Sequence, residues 1–97
     1  MDISARREDL IRALQEQHAF PGMFPIVLIA RSDLAFTARL HAALEYAQEG
    51  ARFEVTERPS SRNSYVSYTV RVHVETAEIA LERKAFLSAL DGVIMTL

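Results

Sequence analysis

The stretch RPSSRNSYVSYTVRVHVE, residues 58–75, joins a polar turn to a long run of alternating side chains. Successive side chains of an extended strand point to opposite faces of the sheet. The apolar set of this run consists of Val66, Tyr68, Val70, Val72 and Val74. The other set is mainly polar and includes Tyr65, Arg71 and His73. The stretch therefore predicts a strand with one face in the core and the other face outside it.

The rest of the chain alternates strand patterns with amphipathic helix patterns. In chain order, these patterns first predict a helix over 4–18, a strand over 26–30, a helix over 34–49 and a strand over 53–56. The long strand follows, and after it come a helix over 77–90 and a final strand over 93–97. Without the first helix, the order is β-α-β-β-α-β. Two right-handed crossovers of this length give an α+β ferredoxin-like sandwich, a four-stranded antiparallel sheet with two helices on one face. We expect residues 1–19 to form an additional N-terminal amphipathic helix and residues 20–97 to form the ferredoxin-like domain.

Composition limits the classes of function. The chain has 97 residues, a formal net charge of -2 and no cysteine. One domain is expected at this length, and the absence of cysteine excludes disulfides, thiolate metal sites and a cysteine nucleophile. A slightly acidic chain has no general attraction for nucleic acid or anionic membranes. The charged N-terminal segment does not resemble a secretory signal, so we expect a cytoplasmic protein.

The outer face of the predicted sheet is the first candidate site. If alternate residues of the strand over 26–30 point inward from Ile26, then Val27 and Ile29 point outward, onto the same surface as Arg71 and His73. A monomer rarely leaves such an apolar patch bare. Three covers are possible: the first helix folded over the patch, a second subunit, or a separate partner on an exposed binding surface.

The turn that begins at residue 58 is the second candidate site. Its guanidinium and hydroxyl groups could converge on an anion or a carboxylate. The residues concerned are Arg58, Ser60, Ser61, Arg62, Asn63 and Tyr65, with Arg31 and Ser32 nearby at the end of the first strand. In the structural alternative the turn is only a hairpin connection, in which serines bond to their own backbone and Asn63 adopts the left-handed conformation. Both interpretations stay open at this point.

No catalytic or metal-binding constellation is visible in the sequence, and we predict neither a cofactor nor a metal. The three histidines, His18, His41 and His73, fall on three different elements and lack metal-ligand spacing. RNA-recognition modules of this topology carry several stacking aromatic residues on the outer face. Here only Tyr65 points outward from the third strand, because Tyr68 has the opposite parity. The sequence therefore favours a binding module over an enzyme or an RNA-binding protein.

Three segments together resemble the YbeD-like family of small bacterial proteins of unknown function. They are FPGMFPI at 20–26, RPSSRNSYVSYTV at 58–70 and VIMTL at 93–97. The resemblance covers about residues 20 to 97 and implies a ferredoxin-like fold similar to that of ACT-type regulatory domains, which bind small metabolites, often at dimer interfaces. It implies no catalytic residues.

The chain departs from the family pattern at three places. After FPI, the family tends to have a lysine, two apolar residues and a glycine, whereas Val27 and Ala30 occupy the lysine and glycine positions here. In the turn, Asn63 and Ser64 replace a glycine and an asparagine. We expect a non-enzymatic regulatory or adaptor module that binds a protein partner, or itself as a homodimer, through the outer sheet face. The alternative is an ACT-like sensor of an amino acid or carboxylate.

Overall fold

The computed structural model describes residues 3–97 of the chain, and the side chains of residues 5–97. The elements are α1 (Ile3–Gln17), β1 (Gly22–Arg31), α2 (Leu34–Gln48), β2 (Phe53–Pro59), β3 (Tyr65–Val74), α3 (Ala77–Ser88) and β4 (Val93–Thr96). Every predicted element is present. The main difference in bounds is that β1 begins at Gly22, four residues earlier than its β-branched stretch predicts.

The four strands form one antiparallel sheet in the order β2-β3-β1-β4. The long strand β3 pairs with β1 over its whole length, from Gly22 opposite Val74 to Arg31 opposite Tyr65. This order places β1 and β3 in the centre and leaves β2 and β4 as edges. It is the strand order that two right-handed crossovers produce, and the predicted ferredoxin-like fold is confirmed.

The core lies between the sheet and the helices. The β1 residues Ile26, Leu28 and Ala30 are completely buried there. The other buried contributors are Phe24 from β1, Val66, Tyr68, Val70, Val72 and Val74 from β3, and Phe36, Leu40, Leu44, Ala80 and Leu87 from the helices. The alternation read from the sequence is therefore correct for both central strands, and their other side chains form the opposite surface of the sheet, here called the open face.

Polar side chains cap the starts of α2 and α3. Asp33 caps α2, since its carboxylate accepts a hydrogen bond of 2.9 Å from the Ala35 N–H. Thr76 caps α3 in the same way through the Ile79 N–H. At the end of α2 two consecutive residues have positive φ: Glu49 has φ 49° and Gly50 has φ 89°. Glu49 therefore occupies a backbone region that costs a non-glycine residue about 1–2 kcal/mol.

Gln48 is a polar side chain inside the core, with 4% of its surface exposed. Its amide nitrogen donates to the carbonyl oxygens of Arg52, at 3.2 Å, and His73, at 2.9 Å. Its amide oxygen accepts a 2.7 Å hydrogen bond from Nε of Arg83 on α3. One side chain thus connects α2, the start of β2, the end of β3 and α3.

The first helix lies on the helical side of the molecule. It packs against α3, and Leu14 and Phe20 contact the core cluster. The His18 ring meets the Phe24 ring edge-on, with centroids 5.0 Å apart. Because Phe24 belongs to the buried face of β1, the possibility that this helix covers the open face is wrong.

The last strand departs from simple alternation. The register of β1 with β4 shifts between Ile29 and Ala30, so that Ala30 lies opposite Val93 while Ile29 lies opposite Met95. Cross-strand partners point to the same side of a sheet. Val93 therefore faces the core and Met95 the open face. Simple alternation would place Val93 and Met95 on one face, and the bulge separates them because it inserts a residue between them.

Candidate functional site

The open face divides into an apolar half and a polar half. Rows of cross-strand neighbours run over it, one of them from Ile29 through Ser67 to Arg58 and another from Val27 through Thr69 to Thr56. The half formed by β1 and β4 carries apolar side chains up to Arg31 at the end of β1, and the half formed by β3 and β2 carries mainly hydroxyl and charged groups. The boundary between the two halves follows the middle of the sheet.

Four residues of the apolar half are here called the apolar patch: Val27, Ile29, Met95 and Leu97. Met23 and Pro25 lie on the same face of β1, towards its start. Val27 and Ile29 are half-buried, whereas Met95 and Leu97 are 52% and 63% exposed. The backbones of Val27 and Leu97 exchange two hydrogen bonds, of 3.4 and 2.8 Å, which place the two residues directly opposite each other. The patch is therefore larger than the sequence indicated, because the bulge adds Met95 and Leu97 to the predicted pair.

The polar half of the open face contains both predicted interface residues of β3. Arg71 lies 3.8 Å from a carboxylate oxygen of Glu54 on the neighbouring strand β2. Arg52 contacts the other carboxylate oxygen of Glu54 at 2.6 Å. His73 is half-buried, and its Nδ1 lies 4.0 Å from Glu75. Among residues 5–97, Glu54 is the one carboxylate at a strand position that points to the open face, and two arginines share it.

The turn between β2 and β3 is held by its own hydrogen bonds. Ser60 and Tyr65 bond through their backbones at 2.8 Å, and the Ser60 hydroxyl accepts a further bond from the Tyr65 N–H at 3.2 Å. Asn63 has φ 57°, the left-handed conformation expected from its side chain. Ser61 and Arg62 are exposed at the tip. The backbone roles that the structural interpretation gave to Ser60 and Asn63 are therefore correct.

The end of β1 meets this turn, as predicted. The Ser32 N–H donates a 3.1 Å hydrogen bond to the Ser64 carbonyl oxygen, and Arg31 lies opposite Tyr65. The two predicted ligand-binding residues of this loop nevertheless line different cavities. Arg31 lines one of about 380 Å³, and Ser32 lines one of about 290 Å³ beside Asn63.

Carboxylates line both of these cavities. Asp33 belongs to both, accompanied by Asp91 in the cavity of Arg31 and by Glu57 in the cavity of Ser32. Arg39 is the second cation of the larger cavity, but it already contacts Asp33 at 3.8 Å and the Asp91 carbonyl oxygen at 3.2 Å. Neither cavity therefore collects the cluster of free cationic donors that an anion site requires.

Two kinds of feature, a metal-binding group and a membrane-spanning helix, are absent from the described residues. Within residues 5–97, no group of histidine and carboxylate side chains is arranged so that it could hold a metal ion. None of the described helices combines the length and the apolarity that a membrane crossing needs.

The fold and the open face define a small ferredoxin-like module whose helices cover one side of the sheet and leave an apolar patch on the other. The sequence profile of the family described as "protein of unknown function (DUF493)" matches residues 15–97, and the chain belongs to this family, the YbeD family of the predicted resemblance. The match begins inside α1, so the family's region includes the end of that helix.

The fold of the chain is similar to solution structures of the protein HP0495 from Helicobacter pylori. One of them has 23% sequence identity and a TM-score of 0.70, with 82% of this chain and 85% of the other covered. The second has 20% identity and a TM-score of 0.58, with 80% and 87% covered. No curated protein matches the chain. At these identities the similarity shows the fold alone.

Proposed function

We propose that this protein is a binding module without catalytic activity that attaches to a protein partner through its open face. The observation that carries the proposal is the apolar patch of Val27, Ile29, Met95 and Leu97. In the described part of the chain, α1 packs on the helical side and leaves this patch uncovered. Apolar side chains that are contiguous over two strands, with a polar rim, are typical of protein–protein contact surfaces.

The charges of the open face favour a different protein over a second copy of the chain. In a two-fold symmetric dimer, the same surface of each subunit contacts its counterpart. Arg31, Arg58 and Arg71 of one subunit would then face the same surface of the other subunit, where, within residues 5–97, Glu54 is the one carboxylate at a strand position. Like charges placed together at an interface cost several kcal/mol. A partner that offers apolar and acidic side chains avoids this cost.

Site-specific photo-cross-linking tests the proposal. A photoreactive amino acid is placed at Met95 on the open face and, as a matched control, at Leu34, which is 91% exposed at the start of α2. Both proteins are irradiated in extracts of cells that make the natural protein. We expect the Met95 probe to join the chain to another protein, the Leu34 probe to give no such product, and the Val27→Lys substitution to abolish the Met95 product.

Two outcomes would contradict the proposal. Equal cross-linking from both probes, or none from Met95, would show that the open face is not a binding surface. A Met95 product that contains two copies of the chain, together with a dimer in sedimentation equilibrium, would replace the separate partner with self-association. The thermal unfolding of Val27→Lys and Leu34→Lys should be compared first, so that a lost product is not the result of unfolding.

A small-metabolite sensor is the second candidate, because the bond between Ser32 and Ser64 holds the β1–α2 loop against the turn beside a cavity. The carboxylates of Asp33 and Glu57 in that cavity weigh against an anionic ligand. Thermal-shift measurements with amino acids and small carboxylates test this candidate. A true ligand at a hundredfold excess over its Kd should stabilise the protein by about 2.7 kcal/mol, and a panel without any stabilising compound would contradict it.

A further inference from the structure

A shallow groove lies at the turn end of the open face, beside the apolar patch. It has a volume of about 260 Å³ and is lined by Ile29, Arg58, Pro59, Ser60, Tyr65 and Ser67. Ser67, which has a small side chain, lies between Ile29 and Arg58 in one cross-strand row. Tyr65 stands at one end and is 45% exposed. We call this feature the hairpin groove.

The size and lining of the hairpin groove suit one inserted side chain better than a metabolite. Pockets for small molecules usually measure about 300–1,000 Å³ and enclose most of their ligand, whereas this groove is smaller and open to solvent. Its walls include the apolar side chain of Ile29 and the ring of Tyr65. Tyrosine and arginine are also among the residue types that contribute most binding energy at protein interfaces.

The charges beside the hairpin groove are positive and unpaired. Arg58 lines the groove and Arg31 is the cross-strand neighbour of Tyr65. Within residues 5–97 neither arginine forms an ion pair, whereas Arg52 and Arg71 share Glu54. An exposed, unpaired guanidinium is free to form a bidentate contact with a carboxylate from outside the chain.

We infer that the hairpin groove accepts one apolar side chain of a partner segment, and that Asp or Glu residues flank this anchor and contact Arg31 and Arg58. This inference rests on the proposed function of the open face and specifies the chemistry of the partner. A nucleic acid would also supply negative charge. The apolar patch next to the groove has no counterpart on a phosphate backbone, and Tyr65 is the one outward aromatic residue of β3, so an acidic peptide fits the surface better.

Selection from a random-peptide library tests the inference. The library is panned on the immobilised full chain and depleted in parallel on Val27→Lys. We expect the enriched peptides to share one large apolar residue with Asp or Glu on both sides. The most enriched peptide is then labelled and titrated by fluorescence anisotropy with the wild type, Arg58→Glu and Arg6→Glu, the last being a charge reversal of an exposed arginine on α1.

The inference predicts that Arg58→Glu weakens peptide binding about tenfold or more, as for other charge pairs at interfaces, and that Arg6→Glu leaves it within about twofold. Neutral or basic peptides that are lost on Val27→Lys would overturn the acidic specificity but support the open face as a protein-binding surface. If Arg58→Glu and Arg6→Glu weakened peptide binding equally, the acidic specificity would again be overturned, while the open face would remain supported as a protein-binding surface. Peptide displacement by oligouridylate at stoichiometric concentration would overturn it in favour of nucleic acid. No enrichment over Val27→Lys would overturn both the inference and the proposed function.

Discussion

The buried amide of Gln48 offers the sharpest test of how the helices are fixed to the sheet. Gln48→Leu keeps most of the side-chain volume and removes three hydrogen bonds, two to the carbonyl oxygens of Arg52 and His73 and one from Arg83. A neutral hydrogen bond contributes about 0.5–1.5 kcal/mol, and one to a charged group about 1.5–3 kcal/mol. Burial of the more apolar leucine and rehydration of the half-exposed Arg83 offset part of the loss. We expect the free energy of unfolding to fall by about 2–4 kcal/mol.

Urea unfolding followed by circular dichroism measures this free energy, and thermal unfolding gives a second value. For a domain of this size, each kcal/mol lowers Tm by about 4–8 °C, so Tm should fall by about 8–32 °C. Gln17→Leu is the matched control, since Gln17 is exposed at the end of α1 and surface changes usually stay within about 0.5 kcal/mol. A typical stability of about 5–15 kcal/mol leaves the Gln48 variant folded.

Substitution of the partner arginine separates the two parts of the network. Arg83→Met removes only the charged hydrogen bond and should cost about 1–2 kcal/mol. The double variant should cost less than the sum of the two single variants, because both single variants remove the same bond. A loss below about 1 kcal/mol for Gln48→Leu would refute the assigned role of the amide. So would an Arg83→Met loss as large as that of Gln48→Leu, since the two backbone acceptors would then contribute nothing.

Three further predictions concern backbone positions with positive φ. Asn63→Val should lower the free energy of unfolding by about 1–2 kcal/mol, because a β-branched side chain fits the left-handed region poorly; Asn63→Gly should be close to neutral, and equal losses for the two would contradict the reasoning. Glu49→Gly should stabilise the protein by about 0.5–1 kcal/mol in urea unfolding by relieving the same conformation at the end of α2. The control Glu45→Gly, inside that helix, should destabilise by about 1 kcal/mol. Gly92→Ala should lower Tm by at least about 4 °C, equivalent to about 1 kcal/mol, because φ is +104° and the new Cβ would lie 3.0 Å from Cδ2 of Phe36; an unchanged Tm would show that the loop before β4 adjusts freely.

Much of the architecture was predictable because the central strand β3 has a strong period of two. The alternation from Tyr65 to Val74 identifies the buried face of β3 without reference to any other segment. The short run from Ile26 to Ala30 is apolar on both faces, so its own pattern does not define an orientation. The outward direction of Val27 followed from the assumption that Ile26 points inward, and the structure confirms it.

The parts that sequence reasoning missed depend on contacts between distant segments. The bulge that turns Met95 to the open face results from the pairing of β4 with β1 and leaves no local signal in a four-residue strand. The packing of α1 on the helical side depends on contacts of Leu14, His18 and Phe20 with the core cluster and with Phe24 of β1. A signal did exist for Gln48, since it continues the four-residue spacing of Phe36, Leu40 and Leu44 on the inward face of α2.

The sequence predicted which residues share the open face better than it predicted how the residues around the turn are arranged. Val27, Ile29, Arg71 and His73 lie on one surface, as their strand parity requires. The proposed convergence around the turn does not follow from parity, because Arg31 and Ser32 are consecutive residues at a strand end and line separate cavities. How a chain leaves a strand is decided by the next helix cap, here Asp33, and by the backbone bond from Ser32 to Ser64.

Because of the bulge between β1 and β4, the apolar patch combines residues that differ in how freely they can be replaced. Met95 and Leu97 enlarge the apolar patch while remaining more than half exposed, so replacements there alter the surface with little penalty for folding. Val27 and Ile29 lie on the central strand and tolerate fewer changes. Chains with the same core can therefore change the composition of the apolar patch through the edge strand alone, and deletion of the extra residue at the bulge would restore simple alternation with Met95 still on the open face.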